Sequence, residues 1–123
     1  IVQYKLPIKI FIINNQWMGM VRQWQELIHG SRYSESYTDS LPDFIKLAES
    51  FGIRGIRAEK MNELQDVIDE MLKHQGPVLA DICVAKEENC FPMIPSGSAH
   101  YEMILNKEDK KNQKVSSDGL ALV

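Results

Sequence analysis

The fold is decided by residues 10–25, which read IFIINNQWMGMVRQWQ. A run of β-branched and aromatic residues ends abruptly in two asparagines, and a Trp, a Met, a Gly and a second Met follow. The run belongs to residues 8–13, IKIFII, which are apolar except for Lys9. Such a segment is typical of a mostly buried strand in a parallel sheet covered on both faces. The sequence therefore predicts a buried strand that opens directly into paired amides.

A helix is predicted over residues 18–29, directly after the asparagines. Arg22 and Glu26 stand one turn apart on one side of it, where opposite charges pair. The apolar stripe on the other side consists of Met20, Val21, Trp24, Leu27 and Ile28. Such a stripe is ordinarily core. A role in a binding site is compatible with this, since the helix can bury Leu27 and Ile28 in the core while its first turn projects Met20 and Trp24 into a cavity.

A second helix and a second strand are predicted further along the chain. After a polar loop over residues 30–39, the helix is expected to begin with Ser40 as its cap, with Asp43 in capping-box position, and to end at Gly52. A strand is predicted over residues 53–58. The apolar stripe of the second helix consists of Phe44, Leu47, Ala48 and Phe51.

A third helix and a third strand complete the pattern. The helix is predicted over residues 60–74, where Gly76 and Pro77 stop it. The strand is predicted over residues 78–84, which are apolar except for Asp81. The face of this helix consists of Met61, Leu64, Val67, Ile68, Met71 and Leu72. Strands that alternate with helices predict an α/β architecture with a mainly parallel sheet.

Size and composition are those of one modest globular domain with a single core. The chain has 123 residues, of which 44% are hydrophobic and 25% charged, and its formal net charge is −3. That balance argues against a nucleic-acid partner, and no apolar run approaches the roughly 20 residues of a membrane span. Cys83 and Cys90 are expected to be free thiols, and the three scattered histidines indicate no metal site or triad. Residues 106–123 are mostly polar and are expected to form a mobile tail.

Asn14 and Asn15 are the first candidate binding residues. Ligands of open parallel sheets bind beyond the carboxyl ends of the strands, where these side chains stand. An amide oxygen is a suitable ligand for Mg²⁺, but the ion would also need a carboxylate, a backbone carbonyl and a diphosphate from a ligand. The alternative is that the pair only turns the chain, since Asn tolerates tight turns and bonds its own backbone.

The residues around the asparagines resemble a known motif. The segment NNQWMGMVRQWQ is similar to the second half of the diphosphate-anchoring motif of thiamine-diphosphate enzymes, which opens with Gly-Asp-Gly and closes with Asn-Asn. The ordered set of Asn-Asn, Gly-Met-Val, Gln-Trp and Pro-Met-Ile-Pro-Ser-Gly resembles the catalytic (large) subunits of acetolactate (acetohydroxyacid) synthases. The likeness implies that residues 1–105 are the C-terminal part of a parallel-sheet, three-layer thiamine-diphosphate-binding domain.

The resemblance implies a reaction as well as a fold. Enzymes of this family are transferases that condense two pyruvates, or pyruvate and 2-ketobutyrate, with loss of carbon dioxide. The reaction opens branched-chain amino-acid biosynthesis, and the cofactors are thiamine diphosphate, Mg²⁺ and FAD. The resemblance implies 2-ketoacid substrates, a cytoplasmic protein in bacteria and an organellar one in eukaryotes.

The resemblance also implies a role for each matching residue. Asn15 is expected to bind Mg²⁺ through its side chain and Trp17 through its backbone carbonyl, so that the identity of the Trp17 side chain need not matter. Trp24 is expected to shape the pocket for the second 2-ketoacid. Ser96 is expected near the mouth of the active site, where herbicides bind in plant relatives. The residues expected to line the cofactor site are Asn15, Gly19, Met20 and Val21, and no catalytic residue is assigned in this chain.

The Gly-Asp-Gly half of the motif is absent from this chain. The 13 residues before Asn14 contain neither Gly nor Asp, so the carboxylate ligand of the family is missing, as are its activating glutamate and its FAD-binding domain. We therefore expect a fragment of a larger subunit, inactive by itself. Its implied partners are the remainder of the catalytic subunit, a second copy in a homodimer and a regulatory subunit.

Two other functions stay open at this point. Another thiamine-diphosphate decarboxylase or carboligase would share the Asn-Asn motif, although Trp24 and the PMIPSG segment argue against it. A stand-alone α/β module with a structural or partner-binding role is favoured by the missing Gly-Asp-Gly. Product analysis of the full-length protein distinguishes the first alternative from an acetolactate synthase. The coding sequence upstream of Ile1 distinguishes a stand-alone module from a fragment of that enzyme.

Overall fold

The computed structural model describes residues 1–112 of the chain. The strands in this range are Lys9–Asn14 (β1), Arg54–Ala58 (β2) and Val78–Cys83 (β3), and the α-helices are Gly19–Leu27 (α1), Phe44–Ser50 (α2) and Leu64–Lys73 (α3). Short 3-10 helices lie at Met61–Glu63, His100–Glu102 and Lys107–Asn112. The chain forms two compact units, named here the sheet unit (Ile1–Gln16 and Asp39–Lys86) and the α1 unit (Trp17–Thr38 and Glu87–Val123).

The sheet unit contains a parallel sheet in the order β1-β3-β2. β1 and β2 both pair with β3 in parallel, with Asn14 opposite Cys83 and Arg57 opposite Asp81. This confirms the predicted α/β architecture. The predicted burial of β1 was wrong, because β1 lies at an edge of the sheet and its Phe11 and Ile13 side chains are exposed. β3 has a neighbour on each side and is buried over its first five residues. Because the strands are parallel, their carboxyl ends meet at one edge of the sheet, and Asn14 lies at that edge.

One face of the sheet packs against α3. The core of this face consists of Ile56, Ala58, Val67, Met71, Val78, Ala80 and Ile82. The sequence predicts a wider helical stripe that includes Met61 and Leu72, but both of these side chains are exposed. Met61 belongs to a 3-10 turn that precedes α3, and Leu72 lies about 100° around the helix from Met71. The buried stripe of α3 is therefore narrower than the predicted one, and its residues are three or four positions apart.

α2 begins later than the predicted cap. Asp43 caps the helix in place of Ser40, since its Oδ1 accepts a hydrogen bond of 3.1 Å from the backbone N–H of Ile45. The helix lies against β2 at Gly55, where an added Cβ would be only 2.9 Å from Cγ2 of Ile45. Ala48, one turn after Ile45, is buried. The predicted stripe residues that are exposed instead are Leu47 and Phe51.

The α1 unit has a core of its own. Leu27 is buried together with Met93 and Ile104, and Trp24 and Ile28 pack against this cluster. An antiparallel bridge pairs Met93 with Ile104. The prediction of a single core was therefore wrong, because the apolar residues that follow β3 pack on α1 and do not extend the core of the sheet.

The remaining predictions on the chain concern its ends and its cysteines. Cys83 and Cys90 are free thiols, as expected. The 3-10 helix Lys107–Asn112 lies in the predicted tail; residues 113–123 lie outside the described residues, and the mobility of the tail stays a prediction. Within the described part of the chain, no helix is both long and apolar enough to span a membrane.

Candidate functional site

The side chain of Asn14 is engaged at both atoms of its amide. Its Nδ2 donates a hydrogen bond of 2.9 Å to Oδ1 of Asp81, and its Oδ1 accepts one of 3.1 Å from the backbone N–H of Gln16. The second bond closes a turn around Asn15, in which Gln16 has a left-handed φ of 60°. The turn that the sequence allowed is therefore present, and the first asparagine makes it.

Asp81 of β3 accepts the hydrogen bond that the amide of Asn14 donates. It is 1% exposed, and its Oδ2 accepts a hydrogen bond of 3.0 Å from Nε of Arg57 on β2. Arg57 also reaches Oδ1 of Asp43 at 3.4 Å. Burial tends to lower the pKa of Arg57, but the hydrogen bond and the charge of Asp81 outweigh it and raise that pKa. In the sequence, the only signal of this network is a carboxylate in an otherwise apolar strand.

Asn15 directly follows β1 and is half-buried. Within residues 1–112, no three His, Cys, Asp or Glu side chains lie close enough together to hold a metal ion. At this strand end, the described chain offers neutral amide and carbonyl oxygens, which could share a cation with anionic oxygens from elsewhere. That donor set is the one that Mg²⁺ uses when it binds a diphosphate.

Trp17, in the α1 unit, packs between aromatic side chains. Its ring centroid lies 5.6 Å from that of Tyr33 and 5.1 Å from that of Tyr37. An antiparallel bridge joins Trp17 to Tyr37, and the backbone N–H of Met18 donates a hydrogen bond of 2.8 Å to the carbonyl of Ser36. The side chain of Trp17 therefore has a packing role, in addition to the carbonyl that the resemblance implicates.

Arg22 of α1 lies against the same rings. Its guanidinium carbon is 5.2 Å from the ring centroids of both Trp17 and Tyr33, and its Nη1 pairs with Oε2 of Glu26 at 2.7 Å. Burial tends to raise the pKa of Glu26, but the neighbouring Asn89 amide and the charge and hydrogen bond of Arg22 lower that pKa overall. The predicted pair of Arg22 and Glu26 is confirmed, and it lies in the interior of the α1 unit.

The first turn of α1 is exposed, whereas Leu27 near its end is buried. The exposed side borders a cavity of about 400 Å³, lined by Met20, Val21, Trp24, Gln25 and His29. Gly19 is the first residue of the helix, and the side chain of Met18, at the N-cap, forms no capping hydrogen bond. Backbone N–H groups there are donors for a ligand. The cavity thus brings together three predicted site residues.

Ser96 does not line that cavity. It lies on an exposed turn over residues 95–98, whose ends are joined by a backbone hydrogen bond of 3.0 Å and in which Gly97 has a φ of 82°.

Gln23 was not predicted as a functional or structural residue. Its buried amide accepts a hydrogen bond of 2.7 Å from the backbone N–H of Cys90 and donates one of 3.0 Å to the backbone carbonyl of Cys90. The two bonds tie α1 to the segment that leads to the turn.

Known proteins match both the sequence and the structure. Residues 1–82 match the family model described as "Thiamine pyrophosphate enzyme, C-terminal TPP binding domain". Over 105 residues, the chain is 49% identical to the acetolactate synthase large subunit of Porphyra purpurea and 50% identical to that of Cyanidium caldarium. Each alignment covers 85% of this chain and 18% of the relative, so the chain spans less than a fifth of the length of these relatives.

A solved structure supports the same fold. The chain is similar to the thiamine diphosphate-dependent 4-hydroxybenzoylformate decarboxylase of Rhodococcus jostii RHA1, with a TM-score of 0.63 and 25% sequence identity. The similarity covers 72% of this chain and 16% of the decarboxylase chain.

Proposed function

The chain belongs to the thiamine pyrophosphate enzymes, whose C-terminal cofactor-binding domain matches residues 1–82, and on this premise we propose that it is part of an acetolactate synthase large subunit. The enzyme would condense two pyruvates, or pyruvate and 2-ketobutyrate, with loss of carbon dioxide. One observation carries the proposal: the last residue of β1 and the residue after it are an asparagine pair at the carboxyl edge of a parallel sheet, where such sheets bind ligands.

In this proposal, Asn15 and Trp17 hold the Mg²⁺ that anchors the diphosphate of the cofactor. Asn15 offers a side-chain oxygen and Trp17 a backbone carbonyl, two oxygen donors of the kind that Mg²⁺ prefers. The choice of Asn15 follows the resemblance, and the Asn14 amide forms hydrogen bonds within the chain through both of its polar atoms. The diphosphate and a carboxylate from outside these residues supply the anionic ligands.

The first turn of α1 supplies the remaining cofactor contacts in the proposal. Its backbone N–H groups suit an anionic diphosphate, and Gly19 lets the backbone approach a ligand closely because it has no Cβ. Met20 and Val21 are exposed in this chain and would form apolar walls that help to exclude water from the site in the complete enzyme. When bound there, thiamine diphosphate would supply an electron sink for the loss of carbon dioxide.

Trp24 sets the choice of the second substrate in the proposal. Its side chain lines the cavity beside Met20, and a large planar ring can pack against the extra methylene of 2-ketobutyrate. The role of Ser96 at the mouth of the site, where herbicides bind in plant relatives, rests on the resemblance alone. So do FAD bound by another domain, a homodimeric enzyme and a regulatory subunit.

A second candidate is a simple decarboxylase of the same cofactor class, which the similar Rhodococcus decarboxylase favours. The two functions differ in what becomes of the second 2-ketoacid. We expect the complete protein, supplied with pyruvate, Mg²⁺ and thiamine diphosphate, to form acetolactate, and with added 2-ketobutyrate to form 2-aceto-2-hydroxybutyrate. Release of free aldehyde without either condensation product would refute the synthase and support the decarboxylase.

A further inference from the structure

We propose that Asp81 is a positioning residue for Asn15 and that it acts through Asn14. The inference rests on the proposed function, in which Asn15 is a metal ligand. Asp81 and Asn14 lie on adjacent strands and are joined by the hydrogen bond of 2.9 Å from Nδ2 to Oδ1. Neither residue needs to touch the cofactor for this role.

Asp81 determines which way the amide of Asn14 faces. Both carboxylate oxygens of Asp81 act as acceptors, one for Asn14 Nδ2 and the other for Nε of Arg57. If the amide were turned over, its oxygen would oppose the oxygen of Asp81 and its NH₂ group would oppose the N–H of Gln16. Only the observed orientation presents Oδ1 to Gln16, so the carboxylate selects the orientation that closes the turn.

The closed turn holds the backbone on both sides of Asn15. Before Asn15, the carbonyl of Asn14 accepts a hydrogen bond of 3.0 Å from the backbone N–H of Val84, which ties the ends of β1 and β3 together. After it, Gln16 is held by the Asn14 side chain in a left-handed conformation that non-glycine residues adopt infrequently. With both neighbours held, the direction in which Asn15 leaves the strand is restricted.

A purely structural role explains the carboxylate less well. Asp81 is 1% exposed in a strand whose other buried residues are apolar, and burying a carboxylate is costly unless it is paired. Replacing a buried ion pair with apolar residues is often neutral or stabilising. Arg57 would keep Asp43 as a partner without Asp81. Orienting the asparagine amide is a task that an apolar residue cannot perform.

The test exchanges the two side chains in the complete protein. In Asn14→Asp/Asp81→Asn, the new carboxylate can accept from both Gln16 and the new amide, whose oxygen can accept from Arg57. We expect Asp81→Asn and Asn14→Asp each to weaken thiamine diphosphate binding, measured by calorimetry with Mg²⁺, and Mn²⁺ binding, measured by electron paramagnetic resonance, by about tenfold or more. The exchanged variant should recover both affinities. Wild-type affinities in Asp81→Asn, or an exchanged variant no better than its parents, would overturn the proposal.

Three further variants make the outcome specific. Arg57→Gln removes the other partner of Asp81 and should lower the unfolding midpoint without weakening cofactor binding; a loss of binding equal to that of Asp81→Asn would make Asp81 merely structural. If Asp81→Asn does not fold, Asn14→Ala carries the test, because it opens the turn while Asp81 keeps Arg57. Asn15→Ala separates the hypotheses: wild-type binding in that variant would refute the metal role of Asn15, whereas loss there with none in Asp81→Asn refutes only the positioning role.

Discussion

Two arginine–glutamate ion pairs in this protein have the same N–O distance but differ in how far their side chains are exposed to solvent. Arg22 and Glu26 approach to 2.7 Å with side chains that are 6% and 14% exposed. Arg54 and Glu70 also approach to 2.7 Å, with side chains that are 50% and 46% exposed. Arg22→Met therefore removes the cation beside a mostly buried carboxylate, whereas Arg54→Met leaves Glu70 in contact with water. The two variants form a matched test of burial.

The expected losses of stability differ severalfold. Removing one partner of a buried ion pair costs about 3–5 kcal/mol, and Arg22 also loses its position against two aromatic rings, which is worth about 0.5–2 kcal/mol. An exposed pair contributes roughly 0–1 kcal/mol. We therefore expect Arg22→Met to lower the free energy of unfolding by about 3.5–7 kcal/mol and Arg54→Met by less than about 1 kcal/mol.

Urea denaturation of the complete protein, with linear extrapolation to water, measures both losses. Tryptophan fluorescence is a suitable probe because Trp17 lies against Arg22. Arg22→Lys should recover only part of the loss, since an ammonium has neither the planar stacking nor the several fixed donors of a guanidinium. Equal losses in Arg22→Met and Arg54→Met would refute the reasoning, because they would show that burial does not set the strength of these pairs.

The same pair also predicts a dependence on pH. Because the pKa of Glu26 in the folded protein lies below its ordinary value of 4.5, the ionised side chain stabilises the fold at pH values above 4.5. The wild type should be more stable than Glu26→Gln at neutral pH, and the difference should shrink as the pH falls through the lowered pKa. A difference that does not change with pH would indicate a packing effect.

Three further predictions concern the proposed site and the sheet. Asn15→Ala should raise the apparent constants for Mg²⁺ and thiamine diphosphate together by about tenfold or more in cofactor titrations; an unchanged titration would leave Asn15 only in the turn. Trp24→Leu should reduce the preference for 2-ketobutyrate over pyruvate in product competition, by up to about 1–3 kcal/mol, whereas equal loss of both products would mark Trp24 as core. Gly55→Ala should cost about 1–3 kcal/mol in denaturation, because its Cβ would meet backbone atoms of Ile45 at 3.0 Å. Gly76→Ala, whose Cβ meets only a flexible side chain, is the matched control and should cost much less.

The order of strands and helices could be predicted because it depends on local apolar spacing. The strands predicted over residues 8–13 and 78–84 are β1 and β3, and each bound differs by at most one residue. The start of α2 could not be predicted in the same way. Ser40 and Asp43 both have the chemistry of a cap, and only the path of the backbone decides which of them lies within reach of the free N–H groups.

Part of the candidate site also follows from the sequence. The asparagine pair that contains Asn15 had to lie at a strand end because it directly follows an apolar run, and Met20 and Trp24 had to share a helical face because they are four residues apart. The surroundings of the Trp17 side chain could not be predicted from the sequence. Its contact with Arg22 requires the chain to bring Tyr33 back beside α1, and no periodicity within a single element predicts that return.

Local apolar spacing therefore specifies the type and order of the main strands and helices, whereas contacts between residues far apart in the chain are specified by the tertiary structure. Asn14 contacts Asp81, and Gln23 contacts Cys90, across 67 positions of the chain in each case. The first contact depends on the register between β1 and β3, since a shift of one residue would move Asp81 to the other face of the sheet. Apolar spacing reports which face of one element is buried. The register and packing partner of that element are set by the loops and neighbours that fold around it.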